Sequence, residues 1–246
     1  MPMVKFFSNK ADLSSSFKKT QVSCEVFFAK CRKGRKIKER EKVFSLEQLP
    51  HHMPALKSLM VWACDSLKAL VNMPALESLE VSYCNGLEHS HDMPALKSLM
   101  VRRCDRLKTL ADMPALESLW VEFCDSLEQL PHYMPALESL KVEFCDSQEQ
   151  LPHDMPALKS LIVCRPISLK ALVNIPLLEE LLVEYLPNWE GWRAGGSGET
   201  TLTSMPRLRE ANFMNCRKMQ TEGLLECQAT RVQKLSVWKC PSARLA

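Results

Sequence analysis

Cysteine is the residue type in this sequence whose chemistry and spacing stand out first. There are 11 cysteines in 246 residues, and from Cys64 to Cys145 five of them follow one another at steps of 20 or 21 residues. No two have the Cys-x-x-Cys spacing of a zinc site or a redox pair. A metal ladder or a redox chain is one interpretation. Metal sites need clustered ligands, however, so the series favours a small core residue that every repeat carries.

Histidines and glycines add no catalytic pattern. His89 and His91 could chelate a metal only adventitiously, because no carboxylate pattern beside them would orient them as ligands. The glycine-rich stretch 194–200, AGGSGET, lacks the lysine of a phosphate-binding loop. We therefore predict no catalytic residue, no cofactor, no metal site and no small-molecule substrate, and a protein that is not an enzyme.

The elements that must position these residues are internal repeats. A unit that begins with Met-Pro recurs along the chain, with Ile175 replacing the methionine once; its first residues are Met53, Met73, Met93, Met113, Met134, Met155, Ile175 and Met205. The apolar skeleton is Leu-x-x-Leu-x-Val-x-x-Cys-x-x-Leu-x-x-Leu, which is the leucine-rich repeat pattern. It predicts an α/β-type leucine-rich repeat solenoid of about nine repeats of 20–21 residues. We expect a curved parallel sheet on the concave face and mostly extended, turn or 3₁₀ segments on the convex side.

The repeats define the domains. Residues 45–246 form the predicted solenoid, with regular repeats at 53–174, irregular repeats at 175–246 and a loop at 193–204. Residues 1–44 form a basic and poorly ordered segment in this interpretation. We also expect the Met53 end to lack a full capping layer, which would expose its leucine face.

Charge is divided along the chain in the same way. Residues 1–42 hold 12 Lys and Arg against 4 Asp and Glu, a charge of +8, and the remainder holds 20 against 25, a charge of −5. The basic run 30–42 is interpreted as a solvated tail, with a nuclear-import or nucleic-acid patch as the alternative. No aromatic residues interleave with it to stack on bases, which disfavours nucleic acid as a partner.

Charges also alternate between successive repeats. Two columns show this pattern: Lys57, Glu77, Lys97 and Glu117 in one, and Lys68, Glu88, Lys108 and Glu128 in the other. Stacked layers would put opposite charges side by side, and such exposed pairs contribute about 0–1 kcal/mol each. Their larger role would be to set the register of the layers.

A binding surface is predicted on the concave face, which is the usual one for an open solenoid. Its exposed aromatic, Met, Arg and charged residues are of types that contact protein partners. The predicted protein-binding residues are Met60, Trp62, Glu80, Tyr83, Met100, Arg102, Arg103, Trp120, Glu122, Phe123, Lys141, Glu143, Phe144, Arg165, Glu184 and Tyr185, with Ile162, Met214 and Trp238 beside them. The alternative is a structural role, in which some of the aromatic side chains pack on neighbouring layers.

The repeat pattern resembles the C-terminal leucine-rich repeats of plant nucleotide-binding leucine-rich-repeat disease-resistance proteins of the coiled-coil class. The segment 182–192, LVEYLPNWEGW, is similar to a Trp-Glu-Glu-Trp segment common in that class. The resemblance covers residues 45–246. It implies a recognition module of a plant immune receptor that senses a pathogen or host protein, or autoinhibits signalling domains. No Gly-x-x-x-x-Gly-Lys-Ser/Thr motif of the family's nucleotide-binding module occurs in the sequence.

The cysteine content and the first residues of the sequence bear on where the protein is located. The odd number of cysteines and the absence of a signal-peptide pattern predict the cytoplasm, with the nucleus as an alternative through the run 30–42. No run reaches the roughly 18 apolar residues of a membrane span, so we predict no transmembrane segment. The alternative functions are a substrate-recognition subunit of a ubiquitin ligase and a bacterial effector-type repeat protein.

Overall fold

The computed structural model describes residues 3–7, 55–91, 93–147, 151–152, 155–165, 175–186, 205–219 and 229–243. The strands in these ranges are β1 (Met3–Phe7), β2 (Ser58–Trp62), β3 (Ala69–Val71), β4 (Ser78–Ser82), β5 (His89–His91), β6 (Ser98–Arg102), β7 (Ser118–Glu122), β8 (Ser139–Glu143), β9 (Ser160–Cys164), β10 (Glu180–Glu184), β11 (Glu210–Met214) and β12 (Lys234–Trp238).

Ten of these strands form one sheet in the order β1-β2-β4-β6-β7-β8-β9-β10-β11-β12, while β3 pairs with β5 in a smaller sheet. From β2 onward the neighbours are parallel and equivalent residues lie opposite one another, as Leu59 does with Leu79 and Val61 with Val81. The described residues thus form a parallel β-solenoid of about seven turns. A leucine-rich repeat fold is compatible with this architecture.

Two turns close each layer, and the repeated residues specify both of them. The N–H of Leu76 donates to the carbonyl oxygen of Met73 at 3.2 Å, and the same bond recurs in the other described Met-Pro units. Pro74 is the second residue of that turn, where its fixed φ is favourable. After the strand, the N–H of Leu67 donates to the carbonyl oxygen of Cys64 at 3.1 Å. Eight of the 15 prolines occupy this second position of a repeat unit, so about half of the proline content comes from it.

The core lies between the main sheet and the opposite side of the solenoid. Successive side chains of a strand point to opposite faces of the sheet. In β2 this alternation points Leu59 and Val61 toward the core, where they are at most 1% exposed, and leaves Met60 partly exposed. Burying a side chain of this size stabilises by about 1.5–3 kcal/mol. One layer cannot bury its own leucine face, so each layer depends on its neighbours.

Two expectations about fold class stay predictions. Within the described ranges there is no α-helix and no 3₁₀ segment, and the side opposite the main sheet consists of turns, extended chain and the strands β3 and β5. The α/β-type assignment is therefore unconfirmed. The count of nine repeats is also unconfirmed, because the connections at 166–174, 187–204 and 220–228 lie outside the described residues.

The Met53 end differs from the expectation. Strand β1 pairs with β2 in antiparallel orientation, with Val4 opposite Val61 and Phe6 opposite Leu59. Leu59 and Val61 are buried, so the prediction of an exposed leucine face at this end is wrong. Residues 3–7 do not carry the repeat pattern, so the repeats could not predict that this strand pairs with β2. The rest of the segment 1–44 lies outside the described residues, and its poor ordering stays a prediction.

The first charge column behaves as expected. Lys57 Nζ lies 2.5 Å from Glu77 Oε1, and Lys97 Nζ lies 3.7 Å from Glu117 Oε1. The alternation breaks where Glu138 follows Glu117, and Glu138 instead pairs with the next layer, where Lys159 Nζ is 2.7 Å from Oε1. The second column shows no side-chain ion pair among the described residues, although the N–H of Glu88 bonds to the carbonyl oxygen of Lys68 at 2.9 Å.

Candidate functional site

The face of the main sheet that points away from the core, called the open face below, carries most of the predicted binding residues. They alternate with the buried Leu and Val positions, and each is partly exposed: Met60, Trp62, Glu80, Met100, Arg102, Trp120, Glu122, Lys141, Glu143 and Glu184. Ile162 and Met214 lie on the same face, and Trp238 of the last described strand is 62% exposed. The parallel register sets these side chains side by side in rows that cross the sheet.

A cluster around Trp120 lies at the middle of the open face. The guanidinium carbon of Arg102 is 5.4 Å from the centroid of the Trp120 ring, and Lys141 Nζ is 4.0 Å from it. Both cations also hold a carboxylate, with Arg102 Nε 2.6 Å from Glu122 Oε2 and Lys141 Nζ 2.8 Å from Glu143 Oε2. Hydrogen bonding to Glu122 raises the pKa of Arg102. The arrangement places a partly exposed aromatic ring between two neutralised ion pairs.

Trp120 also carries an unused hydrogen-bond donor. Its Nε1 atom is shielded from solvent and has no hydrogen-bond partner among the described residues. Buried donors of this kind are rare in folded proteins and call for an explanation such as a ligand or an ordered water.

Six predicted residues occupy a different place, one residue beyond the strands at the carboxyl edge of the sheet. This edge column consists of Tyr83, Arg103, Phe123, Phe144, Arg165 and Tyr185. Each has a positive φ of 50–58°. Each also donates its backbone N–H to the strand-end carbonyl of the next layer, as Arg103 does to Glu122 at 2.9 Å. The sequence predicted these residues as part of the concave face, whereas the structure sets them in a separate column.

Aromatic rings and guanidinium groups stack on one another along the edge column. The guanidinium carbon of Arg103 is 5.6 Å from the Tyr83 ring centroid and 4.4 Å from that of Phe123. Phe123 and Phe144 stack with centroids 4.6 Å apart and planes 5° apart. Arg165 is 5.6 Å from the Phe144 ring and 5.1 Å from the Tyr185 ring. The column therefore has the mirrored order Tyr-Arg-Phe-Phe-Arg-Tyr.

The two surfaces meet at the first layers. Trp62 on the open face packs edge-on against Tyr83 of the edge column, with centroids 5.6 Å apart and planes at 70°. The open face and the edge column are therefore continuous surfaces of one sheet.

Cys164 is a buried thiol at the end of β9. Its Sγ atom lies 3.7 Å from Glu184 Oε2. Burial is the largest cause that raises the pKa of this thiol to about 12, and the nearby Glu143 and Glu184 add to it.

The sequence did not predict five of the seven residues that line a shallow cavity near the last layers. This cavity of about 780 Å³ is lined by Asp146, Arg165, Tyr185, Asn215, Arg217, Lys239 and Pro241. Asn215 and Lys239 have the same positive φ as the edge column and extend it by two layers. Their position one residue after a strand was the available signal. With three cations against one carboxylate, the cavity favours an anionic group.

The repeated cysteines serve the backbone. The N–H of Cys64 donates to Cys84 Sγ at 3.4 Å, and Cys84 Sγ in turn donates to the Ser82 carbonyl oxygen at 3.4 Å. Cys216 and Cys240 repeat the first of these contacts at 3.4 Å. Burial raises the pKa of Cys124 to about 11 and that of Cys104 to about 12, so these thiols stay protonated at neutral pH. The interpretation of the series as a repeated core residue is confirmed.

Among the described residues no group of three or more His, Cys, Asp and Glu side chains is arranged to hold a metal ion. The same ranges contain no helix long and apolar enough to cross a membrane. Comparison of the chain with protein-family models, curated proteins and solved structures finds no match.

Proposed function

We propose that this chain is a non-enzymatic protein-recognition module that binds a protein partner through the sheet surface around Trp120. The observation that carries the proposal is the Trp120 cluster on the open face, with its two flanking cations and the carboxylates that pair with them. Trp and Arg are the residue types most enriched where protein interfaces concentrate their binding energy.

The electrostatics of the cluster support a protein partner. Glu122 and Glu143 neutralise Arg102 and Lys141, so the aromatic surface lies between two ion pairs rather than in a field of one sign. A rim of paired charges around an apolar centre is the usual anatomy of a protein interface. Covering Trp120 with a partner would also strengthen these charge interactions by removing water.

The resemblance to plant disease-resistance proteins gives this proposal its biological setting. The Met-Pro repeats and the 182–192 segment support a recognition module of a plant innate immune receptor, located in the cytoplasm. In that setting the partner is a pathogen or host protein, or signalling domains that the module holds inactive. A solenoid with an open sheet surface suits either task.

Affinity capture from plant cell extract, with the full chain as bait, tests the proposal. We expect at least one protein to bind the wild-type chain and to be lost from Trp120→Ala. Binding of that protein, once purified, should weaken at least tenfold, since central interface tryptophans cost about 2 kcal/mol or more when truncated.

Tyr133→Ala is the matched control, because Tyr133 is an aromatic residue that is 60% exposed and lies outside the sheet. It should retain the partner. If every captured protein binds Trp120→Ala as well as it binds the wild type, with both chains folded, the proposed surface is wrong.

A further inference from the structure

The edge column differs from the open face in the state of its cations. On the open face, Arg102 and Lys141 each hold a carboxylate. The guanidinium groups of Arg103 and Arg165, in contrast, lie over aromatic rings and form no ion pair with a carboxylate among the described residues. Stacking occupies the faces of a guanidinium but leaves its N–H groups at the edges, where they can take a carboxylate in bidentate fashion.

The spacing of these two cations is set by the backbone. Arg103 and Arg165 lie three strands apart, and parallel strands are about 4.8 Å apart, so the two positions are separated by about 14 Å. The N–H bonds from each edge residue to the next layer hold this distance. The midpoint of the stacked Phe123–Phe144 pair therefore lies about 7 Å along the column from either arginine position.

An extended peptide matches these distances. Its residues advance about 3.4 Å each, and every second side chain points to the same side. Side chains at i, i+2 and i+4 therefore fall about 7 Å apart on one face, over the first arginine, the phenylalanine pair and the second arginine. A nucleic acid strand fits less well, because its bases need free ring faces and those of Phe123 and Phe144 are stacked on each other.

We propose that the edge column binds an extended acidic protein segment, with carboxylates at i and i+4 on Arg103 and Arg165 and an apolar side chain at i+2 on the Phe123–Phe144 pair. The inference rests on the proposed protein-recognition function and names the chemistry of one partner segment.

Neighbouring charges add selectivity. The turn beside the edge column carries exposed carboxylates at Asp105, Asp125 and Asp146. They repel a segment that is acidic throughout, so acids at only the two spaced positions are favoured.

The test uses the full chain and a fluorescein-labelled peptide with the core Glu-Ser-Leu-Ser-Glu between glycines, followed by fluorescence anisotropy. A second peptide has Gln in place of both Glu, and a third has the same composition with the two Glu adjacent. We expect the first peptide to bind at least tenfold more tightly than either of the others.

Chain variants locate the binding. Arg103→Gln and Arg165→Gln should each weaken binding of the first peptide about tenfold or more, because each removes a bidentate charge-assisted pair. Arg106→Gln is the matched control, since Arg106 is exposed in the adjacent turn and outside the column. If Arg103→Gln fails to fold, Arg103→Lys keeps the charge without the fork and should still weaken binding.

Three results would overturn the inference: equal binding of the Glu and Gln peptides, full binding by both arginine variants, or an equal loss with Arg106→Gln. Tighter binding of a single-stranded oligonucleotide than of the peptide would overturn it too. If the peptide fails while capture still depends on Trp120, only this inference falls. If the peptide binds as expected while Trp120→Ala loses no partner, the proposed surface around Trp120 is the one that fails.

Discussion

The two sides of the main sheet are made by the same strands, yet their residues follow opposite rules. Toward the core, the first inward position is Leu in every main-sheet strand from β2 to β10, and the second is Val. On the open face, the central residue changes from Met60 to Glu80, Met100, Trp120 and Lys141. The backbone geometry is the same in each layer, so the difference does not come from the strand itself.

The difference lies in whether packing within the solenoid constrains the residue type. Inward positions must fill the same space between two neighbouring layers, and close-packed interiors tolerate little change of volume. Outward positions meet no such demand from the solenoid, and their variety yields a surface with different chemistry in each layer. This contrast supports assigning the proposed recognition role to the outward side.

Alkaline pH should lower the free energy of unfolding more than any other change considered below, because it acts on buried thiols in several layers at once. Burial raises the pKa of Cys104 and Cys145 to about 12 and that of Cys124 to about 11, from an ordinary value of 9.0. These thiols stabilise the fold fully below pH 9, and the contribution is lost as the pH rises toward 11–12. We expect urea unfolding under reducing conditions to show a falling free energy above pH 9.

The variant Cys124→Ala isolates one of these thiols. Removing it should flatten the alkaline slope by about one proton, which is about 1.4 kcal/mol per pH unit. An unchanged slope would contradict a buried and protonated thiol at this position.

Truncation of one inward residue should cost more than truncation of its outward neighbour. Leu119→Ala leaves a cavity at a fully buried position and should lower the free energy of unfolding by about 2–5 kcal/mol. Trp120→Ala, one residue farther, should cost about 1 kcal/mol through its two cation contacts. Urea unfolding followed by circular dichroism measures both. If Trp120→Ala lowered the free energy of unfolding as much as Leu119→Ala or more, packing would not constrain the inward positions more than the outward ones.

Gly86 tests whether a position whose residue type differs between repeats is always free of packing constraints. Equivalent turn positions hold Ser66, Gly86, Arg106 and Ser126, which suggests an unconstrained surface. A Cβ on Gly86, however, would lie 1.9 Å from the carbonyl oxygen of Asp65. Gly86→Ala should therefore destabilise by about 1–3 kcal/mol in urea unfolding, whereas Ser126→Ala should stay within about 0.5 kcal/mol. Wild-type stability of Gly86→Ala would contradict this close approach.

These contrasts mark how far the sequence reaches. The strand positions, the inward Leu, Val and Cys columns and the Met-Pro turn follow from patterns that repeat, because each layer solves the same packing problem. Strand β1 does not repeat, so nothing in its five residues predicted the pairing with β2. The edge column was predicted by residue type but not by place. A positive φ at Tyr83, Phe123 and Phe144 contradicts the usual preference for glycine, and only the structure reveals it.

The smallest expected effect concerns exposed residues that nevertheless follow a repeat, the charge column. Lys159 and Glu138 pair at 2.7 Å with both side chains about half exposed. A double-mutant cycle with Lys159→Ala and Glu138→Ala should give a coupling energy of about 0.2–1 kcal/mol, which decreases when salt is raised. A larger coupling that salt leaves unchanged would mean that the pair stabilises the layers as strongly as a core contact. A small coupling fits a role in register, because shifting one layer would set like charges side by side while every inward Leu still met a Leu.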